Sequence, residues 1–194
     1  MTKVVLFDVM STLVHDPFRE EMPAFFGMSL ERMMAEKHPT AWIEFELGRL
    51  EEPDFLGRFF ADGRAFDHEG FVETVASAYR FLPGIEPLLS ELGRRGTPMH
   101  VLSNYPVWYR RIEARLGLSR YLPWTFVSAE VGMRKPDPGL FEHVARSLGV
   151  PTSDCLLVDD QRRNVVAARE VGMEAIEFVD AGTLRAELAR RGHL

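Results

Sequence analysis

Five side chains suited to handling a phosphate group occur in four separate parts of the sequence. They are Asp8, Ser103, Lys135, Asp159 and Asp160. A carboxylate can attack phosphorus and form a covalent aspartyl-phosphate, and paired carboxylates can hold Mg²⁺, which prefers oxygen ligands. A lysine offsets the charge of a phosphate dianion, and a serine hydroxyl donates a hydrogen bond to a phosphoryl oxygen. The set therefore predicts phosphoryl transfer from a small phosphorylated metabolite, with Mg²⁺ as the cofactor.

The elements predicted around these side chains would bring them to one place. Apolar runs predict five strands, at 4–7, 98–104, 124–129, 155–160 and 174–179. Amphipathic segments between the later runs predict helices, and this alternation indicates an α/β fold with a doubly wound, Rossmann-like parallel sheet. The carboxyl ends of neighbouring parallel strands face one crevice. We therefore expect the five side chains to meet there, with Asn104 beside Ser103 at the phosphate.

Each of these features alone has an ordinary structural explanation. Asp8 could cap a turn or the start of a helix, and Ser103 could be a turn residue. Lys135 could be a solvated loop lysine, and the two adjacent aspartates could cap the helix that follows them. The coincidence at four strand ends favours a shared site, because the structural explanation would have to hold four times independently.

The stretch from 17 to 83 has a different character from the rest of the chain. Its apolar residues recur at helical spacing and no strand pattern interrupts them, with Ser29, Asp54 and Asp67 or His68 near plausible helix starts. We predict an all-helical cap inserted into a core formed by 1–16 and 84–194. Trp42, Phe45 and Arg64 are the candidate substrate contacts of this cap, although the spacing of the two aromatic residues also fits the interior of the insert.

Composition limits the classes of partner. The chain has 194 residues, a formal net charge of −6, and a single cysteine, Cys155, which cannot form an internal disulfide. An acidic balance disfavours nucleic acid or an anionic membrane surface as the main partner, and no apolar stretch approaches the length of a membrane span. We expect a cytoplasmic protein that is a monomer or a homodimer.

The combined pattern resembles the haloacid dehalogenase-like hydrolase superfamily. Residues 8–13, the sequences VLSN and RKPDP, and the run LLVDDQRRNVVAAREVGM are similar to its four motifs in order, and the insert lies where that family carries its cap. The resemblance implies that Asp8 is the nucleophile, that Ser103 binds the phosphate and that Lys135 bridges the charges. It also implies a set of metal ligands, namely Asp8, the backbone carbonyl of Met10, Asp159 and Asp160.

Met10 departs from the family pattern. Phosphatases of the family usually carry a second aspartate two residues after the nucleophile, which serves as general acid and base, and such assistance contributes roughly 10²- to 10⁴-fold in rate. Three explanations compete: a neighbour such as Asp16, His15 or an ordered water supplies the proton, the substrate supplies its own, or the chain is a catalytically impaired binding protein.

Two branches of the superfamily also bear on Met10. The dehalogenase branch lacks the second aspartate and uses its nucleophile on carbon, but Asp159 and Asp160 favour Mg²⁺ and phosphate, because two adjacent carboxylates need a cation. The run DVM, the DPF that follows it and stretches of the insert resemble plant chloroplast-type flavin mononucleotide phosphatases, which also carry methionine at this position. Ser11 departs from them, since an aspartate is expected there. This resemblance makes flavin mononucleotide a candidate substrate.

Overall fold

The computed structural model describes residues 3–194 and has a five-stranded, fully parallel sheet at its centre. Its strands are β1 (Val4–Phe7), β2 (Met99–Ser103), β3 (Phe126–Val127), β4 (Cys155–Asp159) and β5 (Glu174–Glu177), in the spatial order β3-β2-β1-β4-β5. The predicted α/β class with a doubly wound parallel sheet is confirmed. Strand β1 lies in the middle, and the register pairs Phe7 with Val101 on one side and with Val158 on the other.

Eleven α-helices accompany the strands in the described part of the chain. They are α1 (Glu21–Phe25), α2 (Leu30–Glu36), α3 (Ala41–Glu46), α4 (Glu52–Gly57), α5 (His68–Ala78), α6 (Ile85–Arg94), α7 (Tyr109–Leu116), α8 (Ser128–Val131), α9 (Pro138–Leu148), α10 (Arg162–Glu170) and α11 (Ala181–Arg190). Two short 3₁₀ turns occupy Leu118–Arg120 and Thr152–Asp154. None of the helices within residues 3–194 combines the length and apolar character needed to cross a membrane.

Both faces of the sheet are covered, which explains why β1 is apolar throughout. Leu6 faces a cluster that includes residues of α9 and α10. Val5 and Phe7 face a second cluster that includes residues of α6, α7 and α11. A strand buried on both faces cannot alternate apolar with polar side chains, so the polarity of the chain changes only where β1 ends, at Asp8.

One detail of the sequence prediction is wrong. The strand expected at 124–129 pairs only at Phe126 and Val127, because Ser128 begins α8, where its hydroxyl donates to the backbone carbonyl of Glu46 at 2.5 Å. The helix start predicted near Asp54 is confirmed: α4 begins at Glu52, and Asp54 lies in its first turn together with Pro53, at a position that proline tolerates. The starts predicted at Ser29 and Asp67 are confirmed, because each side chain accepts a hydrogen bond from a backbone N–H of the following helix.

Helices α1–α5 enclose a core of aromatic rings that also takes in a residue from outside the insert. Phe45 and Phe55 are stacked with their ring centroids 4.4 Å apart, and Trp108, which precedes α7, packs edge-on against both at 5.4 and 5.7 Å. The indole N–H of Trp108 donates to the Glu52 carboxylate, which also accepts from Arg111 at 3.0 Å. The helical insert is therefore joined to α7 by both aromatic packing and partly buried polar contacts.

We expect Phe45→Ala to lower the free energy of unfolding by about 3–5 kcal/mol, because the ring is fully buried and its loss leaves a cavity beside Phe55. Chemical denaturation followed by circular dichroism measures the change. Ile43→Ala is the matched control, since Ile43 lies on the same helix but is 37% exposed, and its cost should stay below about 1 kcal/mol. Equal losses in the two variants would contradict the assignment of Phe45 to the core.

Candidate active site

A buried lysine joins two carboxylates at the carboxyl end of the sheet. The Lys135 ammonium donates to Asp8 at 2.8 Å, to Asp159 at 2.5 Å and to the backbone carbonyl of Leu102 at 2.7 Å. Asp8 follows β1 and Asp159 ends the neighbouring β4, so the register of the two strands sets the carboxylates side by side. Lys135 is 1% exposed and Asp159 is fully buried. A lysine is rarely buried to this extent unless it is paired with acids in this way.

The loop that carries Lys135 is held by Asn104. The Asn104 amide donates to the Lys135 backbone carbonyl and accepts from the Lys135 backbone N–H, both at 2.8 Å. The sequence predicted that Asn104 binds phosphate, but in the structure its amide is engaged with this backbone.

Ser103, at the end of β2, has no such contact. It is 2% exposed, and its hydroxyl has no hydrogen-bond partner among residues 3–194. Such a buried, unpaired donor is unusual in folded proteins and suits a group that binds a ligand.

Asp8, Asp159 and Asp160 each offer a carboxylate oxygen within 4.8 Å of the others. Their surroundings hold them in place: Asn164 donates to both oxygens of Asp159 at 3.0 and 3.1 Å, and Gln161 donates to Asp160 at 2.7 Å. Three carboxylates against one lysine leave an excess of negative charge, and oxygen donors are the ligands that hard divalent cations prefer. The donor set therefore fits Mg²⁺.

The pKa values of the charged side chains in the site also favour a bound cation. Burial raises the pKa of Asp8 to about 7, against the lowering effect of Lys135, and the charges of Asp159 and Asp160 raise it further. Burial and the charge of Asp159 also raise the pKa of Asp160. Burial lowers the pKa of Lys135, but the charges of Asp159 and Asp8 outweigh it and leave the pKa above its ordinary value. A cation beside the carboxylates would favour their ionised forms.

The turn after β1 places Met10 and Ser11 at the edge of this site. Leu13 and Val14 both donate backbone N–H bonds to the carbonyl of Val9 at 2.8 Å, which closes a tight turn. Ser11 has φ +58°, in the left-handed region that non-glycine residues seldom adopt. Met10 is only 9% exposed, and its thioether cannot exchange protons. The departure noted in the sequence is thus located beside the nucleophile candidate.

A cavity of about 290 Å³ connects Asp8 with the helical insert. Trp42, predicted as a cap contact, is one of its lining residues, together with Phe18, Met34 and Tyr105. Phe45 and Arg64 do not line it, which corrects their prediction as substrate contacts. The ring of Phe45 is drawn into the aromatic core, and Arg64 is paired with Glu36 and Asp62 with its guanidinium 3.6 Å from the centroid of Phe60.

Several functional candidates in the cavity wall were missed by the sequence prediction. They are Arg19, Glu46, Arg134 and Arg163. One signal could have found Glu46, because it lies four residues after Trp42 and therefore on the same face of α3. Of the two proton donors considered in place of Met10, Asp16 lines the cavity, whereas His15 is bound to Glu21 at 2.8 Å and lies outside it.

A sequence model of haloacid dehalogenase-like hydrolases matches residues 2–172 of this chain. The chain belongs to this hydrolase family. The four segments that resemble the family's motifs carry Asp8, Ser103, Lys135 and Asp159, and they meet at the carboxyl end of the sheet. The sequence resemblance to the superfamily is thereby confirmed.

Individual relatives refine the comparison. The chain is 45% identical over 189 residues to the chloroplastic flavin mononucleotide hydrolase 1 of Arabidopsis thaliana, covering 97% of this chain and 77% of the relative. It is 26% identical to a phosphoglycolate phosphatase of Pseudomonas syringae pv. tomato, covering 91% of this chain and 69% of the relative. The first of these supports the resemblance to plant flavin mononucleotide phosphatases. Its chloroplastic name does not extend to this chain, whose cytoplasmic location stays a prediction.

Solved structures share the fold. A haloacid dehalogenase family enzyme of Bacteroides thetaiotaomicron, in complex with magnesium and inorganic phosphate, superposes with a TM-score of 0.74 at 19% identity, covering 93% of this chain and 96% of that one. The L-2-haloacid dehalogenase of Xanthobacter autotrophicus gives 0.66 at 19% identity, covering 97% and 83%. Phosphate-binding and dehalogenating members are thus comparably similar in fold, so the side chains of the site must decide between the two chemistries.

Replacing Lys135 with methionine should destabilise the chain by about 3–5 kcal/mol, because Asp8 and Asp159 then stay buried without their counter-charge. The measurement is urea unfolding in the presence of a chelator, which keeps stray cations from replacing the lysine. Lys37→Met is the control, since Lys37 also lines the cavity but forms no ion pair within residues 3–194; it should change stability by less than about 0.5 kcal/mol. A loss below 1 kcal/mol for Lys135→Met would contradict the role of the triad in stability.

Proposed function

We propose that this chain is a Mg²⁺-dependent phosphatase that hydrolyses a small phosphomonoester, flavin mononucleotide, through an aspartyl-phosphate on Asp8. One observation carries the proposal: the carboxylate of Asp8 lies against a buried lysine and next to two further carboxylates at the end of the sheet. A carboxylate in this position is fixed as a nucleophile, and the donors around it suit a phosphate and a cation. The name of the Arabidopsis relative supports the substrate.

Each residue of the site has its own role in the proposed phosphoryl transfer. An oxygen of Asp8 attacks phosphorus in line with the departing alkoxide, while Lys135 holds the orientation of the carboxylate and offsets charge. The unpaired hydroxyl of Ser103 donates to a phosphoryl oxygen as charge shifts in the transition state. Mg²⁺, held by Asp8, the Met10 backbone carbonyl, Asp159 and Asp160, would screen the phosphate dianion from the attacking carboxylate.

The cavity wall supports a flat aromatic substrate. Trp42 lies between two other rings that line the cavity, with its ring centroid 6.0 Å from that of Phe18 and 6.2 Å from that of Tyr105. Such a cluster suits an isoalloxazine ring, and Arg19 and Lys37 add positive charge at the same cavity. We extend the proposal to the domain division: residues 17–83 act as the cap that selects the substrate, on a core of 1–16 and 84–194.

The acid cluster disfavours the dehalogenase alternative. Attack on carbon needs one carboxylate and no metal, whereas here three carboxylates share a buried site with one lysine. A group of this composition is stable only with an added positive charge or an added proton. Release of halide from a 2-haloacid that is insensitive to chelator would favour the dehalogenase instead.

Asp8→Asn should reduce phosphate release by about three orders of magnitude or more, because an amide cannot form the acyl-phosphate. The assay follows phosphate release from flavin mononucleotide and from a panel of phosphorylated metabolites. Asp54→Asn, an exposed aspartate in the insert, is the control and should leave the rate unchanged. Full activity in Asp8→Asn would overturn the proposal, and ligand-induced stabilisation without turnover of any phosphate ester by the natural chain would favour a binding protein.

Removal of divalent cations with EDTA should abolish phosphate release, and added Mg²⁺ should restore it. Asn164→Ala should raise the Mg²⁺ concentration for half-maximal activity about 10- to 100-fold, since Asn164 orients Asp159 from behind. Val166→Ala, on the same helix but with its side chain 44% exposed, should leave the Mg²⁺ requirement unaltered. Activity that persists in EDTA would exclude the metal-dependent mechanism.

A further inference from the structure

The proposed reaction needs a proton for the departing alkoxide, and Met10 cannot provide one. Two carboxyl groups line the cavity apart from the expected ligands of the metal, those of Asp16 and Glu46. They come from different parts of the chain, Asp16 from the loop after β1 and Glu46 from the last residue of α3 in the insert. The cavity thus offers two places from which a proton could be delivered, and their surroundings differ.

Glu46 is held in the wall of the cavity by contacts with three elements. It is 6% exposed, one carboxylate oxygen accepts from the indole N–H of Trp42 at 2.5 Å, and the backbone carbonyl accepts from Ser128 at the start of α8. The second oxygen, Oε2, is buried and lies 3.0 Å from the guanidinium of Arg134 without an aligned hydrogen bond. Glu46 therefore has a fixed position in the cavity wall, with one carboxylate oxygen bound to Trp42 and the other paired with Arg134.

Asp16 is engaged differently. Its Oδ1 accepts the backbone N–H of Phe18 at 3.0 Å, a local turn that shapes the loop leading into α1. Burial raises the pKa of Asp16 above its ordinary value, although this hydrogen bond acts in the opposite direction. The bond gives the Asp16 carboxylate a structural role in the loop, whereas the Glu46 carboxylate is set in the cavity wall against Trp42, the ring that we place at the substrate. That position favours Glu46.

We propose that Glu46 is the general acid and base of the reaction, in place of the aspartate that the family usually carries two residues after its nucleophile. The assignment rests on the proposed phosphatase function. In the first step the bond from Asp8 to phosphorus forms, the bond from phosphorus to the ester oxygen breaks, and the proton of Glu46 passes to that oxygen. In the second step water attacks phosphorus and gives its proton to Glu46, and the bond to Asp8 breaks. Inorganic phosphate leaves and both side chains return to their initial states.

The charges around Glu46 suit this role. Burial raises its pKa to about 7, while Arg134, the Trp42 hydrogen bond and Arg163 lower it and Asp16 raises it. Tyr105 also faces the same part of the cavity. A general acid works best when its pKa is close to the pH of the reaction, because it is then protonated in a large fraction of molecules and still gives up its proton readily.

The decisive experiment compares two substrates in Glu46→Gln. An alkyl phosphomonoester such as flavin mononucleotide needs a proton on its leaving oxygen, whereas p-nitrophenyl phosphate has a good leaving group and does not. We expect kcat/KM to fall about 10²- to 10⁴-fold for the alkyl ester and less than about fivefold for the aryl ester. Because kcat/KM reports only the steps up to loss of the alcohol, the slowed second step should appear separately, as a burst of p-nitrophenol before a lower steady rate.

The pH dependence gives a second readout. In the natural chain kcat/KM for the alkyl ester should fall as the pH rises through about 7, because Glu46 loses the proton that it must donate. In Glu46→Gln this fall of kcat/KM with rising pH should be absent. Glutamine keeps the oxygen that accepts from Trp42, and a p-nitrophenol burst with a nearly unchanged kcat/KM for the aryl ester shows that the variant is folded.

Two further variants make the test specific. Glu44→Gln changes another acid of α3, one that pairs with Thr40 and Arg58 on the outer side, and should affect neither substrate. Asp16→Asn should lower the two kcat/KM values equally or not at all. A selective loss with the alkyl ester in Asp16→Asn, or equal losses on both esters in Glu46→Gln, would overturn the assignment. Failure of the natural chain to hydrolyse either ester would instead overturn the proposed function itself.

Discussion

The contact on which this structure depends is the pairing of the Lys135 ammonium with Asp8 and Asp159. Three charged groups are removed from water there, and they are tolerated because each carboxylate lies within 2.8 Å of the ammonium. Lys135 is 127 residues from Asp8 and 24 from Asp159 in the chain, so the pairing exists only when β1, β4 and the loop at 135 are all in place. The catalytic apparatus and the stability of the sheet are in this sense the same set of contacts.

The pairing also explains what the neighbouring residues do. The Asn104 side chain is bonded to the backbone of Lys135, and the Asn164 NH₂ group to the carboxylate of Asp159. Both asparagines therefore determine where the charged groups point. The hydroxyl of Ser103 stands apart from this network and has no hydrogen-bond partner in the described part of the chain, in keeping with the role that we propose for it at the phosphate.

The sequence predicted the sheet well because strand patterns and their polar ends are local signals. The run at 4–7 ends at a carboxylate, and in a parallel sheet that is enough to place Asp8 beside Asp159. What the sequence could not show were contacts between distant segments. Ser128 leaves the strand because it bonds to Glu46, 82 residues away. Likewise, helical periodicity assigned Phe45 and Trp42 to one face but could not tell which of the two reaches the cavity, and a glutamate in a helix such as Glu46 ordinarily indicates a solvated surface.

The conformation of Ser11 has an evolutionary consequence. Its backbone already occupies the left-handed region at φ +58°, and its side chain lines the cavity next to Met10. Aspartate and asparagine enter this region more readily than other side chains, so an acid at position 11 would fit the existing turn without rebuilding it. In the proposed mechanism a chain with serine at this position takes its proton from the helical insert, whereas an aspartate there would place a proton source in the first loop. A change at one position would then move proton transfer from one part of the fold to another.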